Sequence, residues 1–257
     1  MKNPYDYQFR SLLQRCDSDQ FKKDFFNDLL SSGRSSLNKK VKTFSLNNDT
    51  KNKVFKSLYP NSMEKLGMDS FIYKNNIDDD SAIYYSKCLL EFFSDKINFY
   101  ITSKKSYEFL LQRKNYTGAK KILDDLDIEV GVSLWTCGQR LLIEQKENSI
   151  REKPEYFLDK YFENEHRNLI TIFNLFHLSF LADDELKYNT YKKLFQKYID
   201  DIKNETVKKY ILSKFSFNRA YLIDNISLVL QVDSQYSIID MYNDLETIIP
   251  IYYKSNR

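Results

Sequence analysis

Ala119, Ile122, Leu123, Leu126 and Val130 stand at i, i+3, i+4, i+7 and i+11, the spacing of a single face of an α-helix. Gly131 ends this run. Ser133 is placed to cap the next one, because its side-chain oxygen can accept an orphan backbone N–H. That next helix carries Leu134, Gly138, Leu141, Leu142 and Gln145 on one stripe, with Trp135 beside it. Upstream, Asp78-Asp79-Asp80 before Ser81 marks a helix start, since carboxylates favour the positive end of the helix dipole. This helix is expected to bury Ile83, Cys88, Leu89, Phe92, Phe93 and Ile97, and a further one to carry Tyr107, Leu110 and Leu111.

The same periodicity continues on either side. Residues 5–31 read as one or two amphipathic helices, with Phe21, Phe25, Phe26, Leu29 and Leu30 on the apolar face and Gly33 as the stop. Residues 32–53 are polar and without period, so a long loop is expected there. A second weak region falls at Tyr59-Pro60-Asn61 and Gly67. Pro154 fits an early helical position ahead of Phe157, Tyr161 and Phe162. Leu169 to Leu181 is apolar nearly all round, which predicts a central buried helix. Asp183-Asp184 opens another, facing inward with Tyr188, Tyr191, Leu194, Phe195 and Tyr198. Two or three shorter helices complete the chain, one of them holding Ile223, Ile226, Leu228 and Leu230. A strand over Ser227 to Val232 is the less favoured reading of that last stretch. The tail Ile248-Ile249-Pro250-Ile251-Tyr252-Tyr253 either packs inward or faces another subunit.

Composition supports an all-α fold. Twenty Tyr and nineteen Phe stand against five Gly and four Pro, and a sandwich or barrel would need more turn-forming residues. Abundant Lys, Asn, Tyr and Phe also fit an AT-rich coding bias, which weakens any functional reading of the aromatics. The formal net charge is +3, but residues 1–60 hold twelve Lys and Arg against six Asp and no Glu, a local +6 that leaves −3 for the remainder. The organisation expected is a basic N-terminal helical region with a long polar loop over 1–76 and a helical body over 77–257, the two allowed to be one continuous domain. Cys16, Cys88 and Cys137 are odd in number and lack CxxC spacing, which argues against a disulfide framework or a zinc site. Leu169 to Ala182 is shorter than the ~20 residues of a membrane span and contains Asn174 and His177. With no apolar signal core after Met1-Lys2-Asn3-Pro4-Tyr5, a cytoplasmic bacterial protein with no membrane association is expected.

Residues 104–131 resemble a tetratricopeptide unit. In Tyr107-Glu108-Phe109-Leu110-Leu111-Gln112-Arg113-Lys114-Asn115-Tyr116-Thr117-Gly118-Ala119, a first helix ends, the chain turns, and an aromatic residue is followed three positions later by a small one. The resemblance implies that Tyr116 plugs the turn, that Ala119 lets the helices approach, and that Leu123 and Leu126 are second-helix core. The sequence departs from the pattern at Tyr107, where a small residue is expected, and at Gly131, where a proline would end the unit. Stepping the family's period of about 34 residues from Ala119 reaches Lys153 with no second match. The implied fold is an irregular helical-repeat-like array of antiparallel helix pairs. Gly131-Val132-Ser133-Leu134-Trp135 after such a hairpin is also similar to segments of bacterial helical-repeat proteins that resemble anti-phage defence components.

The chemistry-bearing residues do not assemble a reaction centre. His166 and His177, eleven residues apart, would lie about 16 Å apart along one helix, too far for shared ligation. Glu163 and His166 form an i, i+3 pair, but a carboxylate-bridged site needs a second such pair. Gly131-Val132-Ser133-Leu134-Trp135 has Trp135 where a nucleophile elbow needs glycine and lacks a preceding strand. Asp127, Glu144 and Lys146 follow the order of a nuclease D…E-x-K set, yet Glu144 and Lys146 point apart on a helix. The glycines at 33, 67, 118, 131 and 138 are isolated, so there is no phosphate loop. No catalytic residue, metal or cofactor is therefore expected. The expected function is a non-enzymatic scaffold or adaptor holding a protein partner in a helical groove. The alternative is a nucleic-acid-associated subunit whose Arg34, Lys39, Lys40, Lys42, Lys51 and Lys53 contact phosphates, weighed against the plainer reading of these residues as a solvated loop.

Overall fold

The computed structural model describes residues 59–60, 77–148, 171–172, 174–175, 178, 188–216 and 220–255. Among these residues the fold is all-α, with no strand. Nine helices are delimited: α1 (Asp79–Phe92), α2 (Ser94–Gln112), α3 (Tyr116–Glu129), α4 (Leu134–Asn148), α5 (Tyr188–Asp200), α6 (Glu205–Phe215), α7 (Ala220–Ile223), α8 (Ile226–Tyr236) and α9 (Ile238–Ser255). Isolated helical positions at 171, 172, 174, 175 and 178 include the buried Ile172, Leu175 and Leu178, in the stretch expected to form a buried helix. The expectations for residues 5–53, Pro154 and Asp183-Asp184 lie outside the described residues.

The local signals work as expected where they are local. Asp78 caps α1, its carboxylate accepting the Ser81 N–H at 2.6 Å. The helix does not run on to Ile97, however: it breaks at Phe93, whose backbone leaves helical geometry, and α2 then runs unbroken from Ser94 to Gln112. At the α2–α3 turn, the Asn115 N–H bonds the Leu110 carbonyl and the Lys114 N–H bonds that of Leu111, the double closure that ends many helices. Lys114 takes the left-handed conformation this requires, φ 57°. Asn115 then caps α3 by accepting the Gly118 N–H at 3.0 Å. The α3 stripe is buried as read, with Ala119, Leu123 and Leu126 fully enclosed and Ile122 half-buried. Gly131 has φ 104°. The Ser133 hydroxyl accepts the Thr136 N–H at 2.9 Å, so Ser133 caps the third N–H of α4.

Helices α2, α3 and α4 pack on their chain neighbours as successive hairpins do. Tyr107, the bulky departure from the repeat pattern, is fully buried, and its hydroxyl donates to Gln139 of α4 at 3.1 Å. The rest of the packing is long-range. Helix α8 packs against α1, α9, α6 and α7, and α9 also touches α1, α2, α4 and α7. Such sequence-distant contacts differ from a solenoid, where each repeat touches only its neighbours.

The centre of this assembly is α8. Ten of its eleven residues are buried, the polar Ser227, Gln231, Asp233 and Ser234 among them. The stretch that allowed a strand is thus a helix. Ile223 and Ile226, expected on one helix, fall on two, because Asp224 and Asn225 form a turn between α7 and α8. The tail packs inward: Ile248 is buried, Ile249 and Tyr252 lie against the core, and Pro250 sits on the exposed side of α9. Tyr59 belongs to the expected N-terminal region but docks on the body, its hydroxyl donating to the Val130 carbonyl at 2.6 Å and its ring meeting Phe93 edge-on at 4.8 Å.

Candidate functional site

Two features stand out once the core is in place, a surface cleft and a buried polar cluster. The cleft lies between α2 and α9 and has a volume of about 310 Å³. Ile101, Lys104, Lys105 and Glu108 line it from α2, and Tyr242 and Glu246 from α9. A cluster of aromatic rings lies in the core near these helices. Tyr100 meets Trp135 edge-on at 5.2 Å and Tyr242 at 6.0 Å, and Tyr107 meets Trp135 at 5.7 Å. Such pairs fix ring orientation beyond what area burial supplies. The Lys104 ammonium lies 5.8 Å from the Tyr100 ring centre and 5.9 Å from that of Trp135, within cation–π range. Tyr100 donates to Asn243 at 3.0 Å, and Tyr242 donates to Glu246 at 2.5 Å. Desolvation, then the Glu246 carboxylate, push the Tyr242 phenol up to about 12, so it remains a neutral donor on the wall of the cleft.

The polar cluster joins three helices. Lys214 of α6 reaches Asp233 of α8 at 2.9 Å and Asp244 of α9 at 2.5 Å. Tyr210, one helical turn before Lys214, donates to the other oxygen of Asp233 at 2.7 Å. Asp240 lies on the same side of α9 and is buried, and it accepts the Leu134 N–H at 2.7 Å and the Trp135 N–H at 3.1 Å. It therefore caps α4 from 105 residues away. Asp79 does the same for α8, accepting the Ser227 N–H at 3.0 Å, while the Ser227 hydroxyl donates to the Ile77 carbonyl at 2.9 Å. Desolvation raises the Asp240 carboxyl, opposed by Lys214 and by the Leu134 N–H. Lys214 is held well above the ordinary lysine value: desolvation acts to lower it, and the facing carboxylates of Asp233 and Asp244 overcome that.

The nuclease-like set is split among structural ion pairs. Asp127 pairs with the buried Arg140 at 2.6 Å, Glu144 pairs with Lys120 at 3.0 Å, and Lys146 is exposed. Arg140 also reaches Asp124 at 2.8 Å, which ties α3 to α4. Cys88 is half-buried and Cys137 buried, both as free thiols. Among the described residues no group of three His, Cys, Asp or Glu side chains is arranged to hold a metal ion, and no helix is long and apolar enough to cross a membrane. Arg34, Lys39, Lys40, Lys42, Lys51, Lys53, His166, His177 and Glu163 lie outside the described residues. Sequence reasoning passed over Tyr242, Glu246, Lys214, Asp233, Asp240 and Asp244. The available signal was Gln231-Val232-Asp233-Ser234, polar groups set inside the apolar run from Ile226 to Ile239. No protein-family model, no curated protein and no solved structure matches the chain.

Proposed function

We propose that this chain is a non-enzymatic adaptor that receives a segment of a protein partner in the cleft between α2 and α9. The observation that carries this reading is the make-up of the cleft. Ile101 and the Tyr242 ring give it apolar surface, and Lys104, Lys105, Glu108 and Glu246 give it charges of both signs. A few placed polar groups around an apolar surface are what orient a bound segment. Elsewhere the buried charges have structural work: Arg140 ties α3 to α4, Asp240 caps α4, and Lys214 joins α6, α8 and α9. The tetratricopeptide resemblance of residues 104–131 supports the same class of function. The placement among anti-phage defence components rests on the Gly131–Trp135 resemblance alone.

Lys105 and Glu246 are both exposed, so the double reversal Lys105→Glu, Glu246→Lys leaves the core intact. A photo-crosslinker at position 105 is expected to trap a protein partner in cells, and one at the exposed Lys192 of α5 is not. The double reversal is expected to cut trapping at least tenfold with an unchanged melting temperature. Equal labelling from both positions, or no loss in the double variant, rejects the cleft.

The second reading is a nucleic-acid-associated subunit, favoured by the local +6 over residues 1–60. Phosphate contacts release counterions, giving a slope of about −0.9 in log affinity against log salt per contact on duplex DNA. If Lys39, Lys40 and Lys42 each make one, replacing all three by Ala flattens the slope by about 2.7. Negligible affinity that the substitutions leave unchanged removes this reading.

A further inference from the structure

The four charges that line the α2–α9 cleft are not equivalent. Lys104 has its ammonium turned to the rings of Tyr100 and Trp135, 5.8 and 5.9 Å from their centres. Lys105 and Glu108 are exposed side chains of α2. Glu246 is held in place: Tyr242, one helical turn earlier on α9, donates its hydroxyl to Oε1 of Glu246 at 2.5 Å. An ionised carboxylate has about four lone-pair sites on its two oxygens, and this bond takes one of them. With Lys104 on the rings, the fixed charge that the cleft offers a ligand is an acceptor, oriented before anything binds. A second carboxylate, that of Glu108, stands on the opposite wall.

Size and shape narrow what can answer these acceptors. A volume of about 310 Å³ is at the lower end of ligand pockets, which run from about 300 to 1,000 Å³. It has room for one long side chain and not for a helix, which is about 10–12 Å across with its side chains. Ile101 and the Tyr242 ring give apolar surface on which a long stem can lie, as the stems of lysine and arginine do elsewhere. An ammonium is a compact, strongly hydrated point charge. A guanidinium is planar and weakly hydrated, carries five donors in a rigid fork, and stacks on aromatic faces. Carboxylates on two walls and an aromatic ring on one of them match the guanidinium.

Resting on the adaptor reading of this cleft, we propose that its occupant is an arginine side chain of the partner segment. The guanidinium bridges Glu246 and Glu108, and the stem lies along Ile101 and the Tyr242 ring. Lys105 pairs with a carboxylate next to that arginine in the partner. The lysines set the limit of what is accepted: a run of basic residues would meet Lys104 and Lys105 as like charges, an arrangement that interfaces select against.

Titrating the full chain with capped peptides at low salt, and following the Ile101 methyl and Tyr242 ring signals by NMR, tests this. Acetyl-arginine amide is expected to give saturable shifts, and to bind about tenfold more tightly than acetyl-lysine amide or acetyl-leucine amide. Glu246→Gln keeps an acceptor for the Tyr242 hydroxyl, and Glu108 is exposed, so neither Glu246→Gln nor Glu108→Gln disturbs the core. Each is expected to weaken the arginine probe about tenfold. An acetylated Asp-Arg-Asp amide is expected to bind more tightly than acetyl-arginine amide, and to lose that gain in Lys105→Ala. Equal affinity for the arginine and lysine probes overturns the arginine site. So does an affinity that Glu246→Gln leaves unchanged, or the lack of any saturable shift at Ile101 and Tyr242. The adaptor reading fails by a different result. Tightest binding of acetyl-leucine amide, with cross-linking from position 105 intact, removes the arginine and keeps the adaptor. Arginine binding without cross-linking removes the adaptor and leaves a site for a free guanidinium compound.

Discussion

Asp240→Ala is expected to lower the melting temperature by about 6–12 °C. Asp240 is buried on α9, and its two oxygens take the first two N–H groups of α4, those of Leu134 and Trp135. Removing it leaves the Leu134 N–H buried with its acceptor gone. A buried polar group stripped of its partner costs about 1–3 kcal/mol, and loss of a helix cap costs about 1 kcal/mol. Against this, the carboxylate is itself unfavourable to bury, and its loss reduces the negative charge around Lys214. A net cost of about 3 kcal/mol results, or about 2–4 °C per kcal/mol in a chain of this size. Asp240→Asn retains one acceptor oxygen and is expected to lose about half as much. Thermal unfolding followed by circular dichroism gives the numbers, and Trp135 fluorescence reports whether the damage begins at the start of α4. A melting temperature within 1 °C of the parent for Asp240→Ala rules out the capping role.

Lys214→Met is expected to destabilise by about 3 kcal/mol at pH 8 and by about half that at pH 5. Breaking a buried pair by removing one partner typically costs about 3–5 kcal/mol, because the other charge stays behind without compensation. Here two carboxylates lose their shared ammonium. Methionine fills similar volume, so the loss is electrostatic and not a cavity. Burial raises the Asp233 carboxyl, so without Lys214 it takes up a proton more readily at the lower pH, and the penalty shrinks there. Urea unfolding at the two pH values measures the difference. An equal penalty at both would mean that packing, and not charge, is what Lys214 contributes.

What could be read from the chain was what depends on neighbours in sequence. The stripe from Ala119 to Val130, the Asp78 cap and the Ser133 cap all act within one or two turns, and each is where its pattern placed it. The break at Phe93 left no mark, because Phe92-Phe93 continues the apolar spacing and contains no stop residue. Helix α8 was ambiguous for a different reason. Ser227 to Val232 is a short, mostly apolar stretch, which reads as strand or helix, and the polar Ser227, Gln231 and Ser234 at helical spacing are buried with it. The caps that Asp79 and Asp240 give to α8 and α4 span 148 and 105 residues, so no local motif announces them. The α2–α9 cleft was not legible, because Tyr242 and Glu246 come to Ile101, Lys104, Lys105 and Glu108 only through tertiary contact. The basic residues from Arg34 to Lys53 fall outside the described residues, and their role rests on charge alone.

The distance between Asp79 and Ser227 bears on how the chain is made. Residues 148 positions apart hold each other's helices in place, and ribosomes deliver about 5–20 residues per second. Helix α1 therefore emerges roughly 7–30 s before its partner exists at that rate of delivery. The hairpin of α2 and α3, by contrast, is complete as soon as its second arm has been synthesised. During the interval the apolar side of α1, including Ile83 and Leu89, has nothing from α8 to cover it. This period, and not the finished fold, is when the nascent chain most needs a chaperone. Slow codons placed after α3 would lengthen it, and fast ones would shorten it.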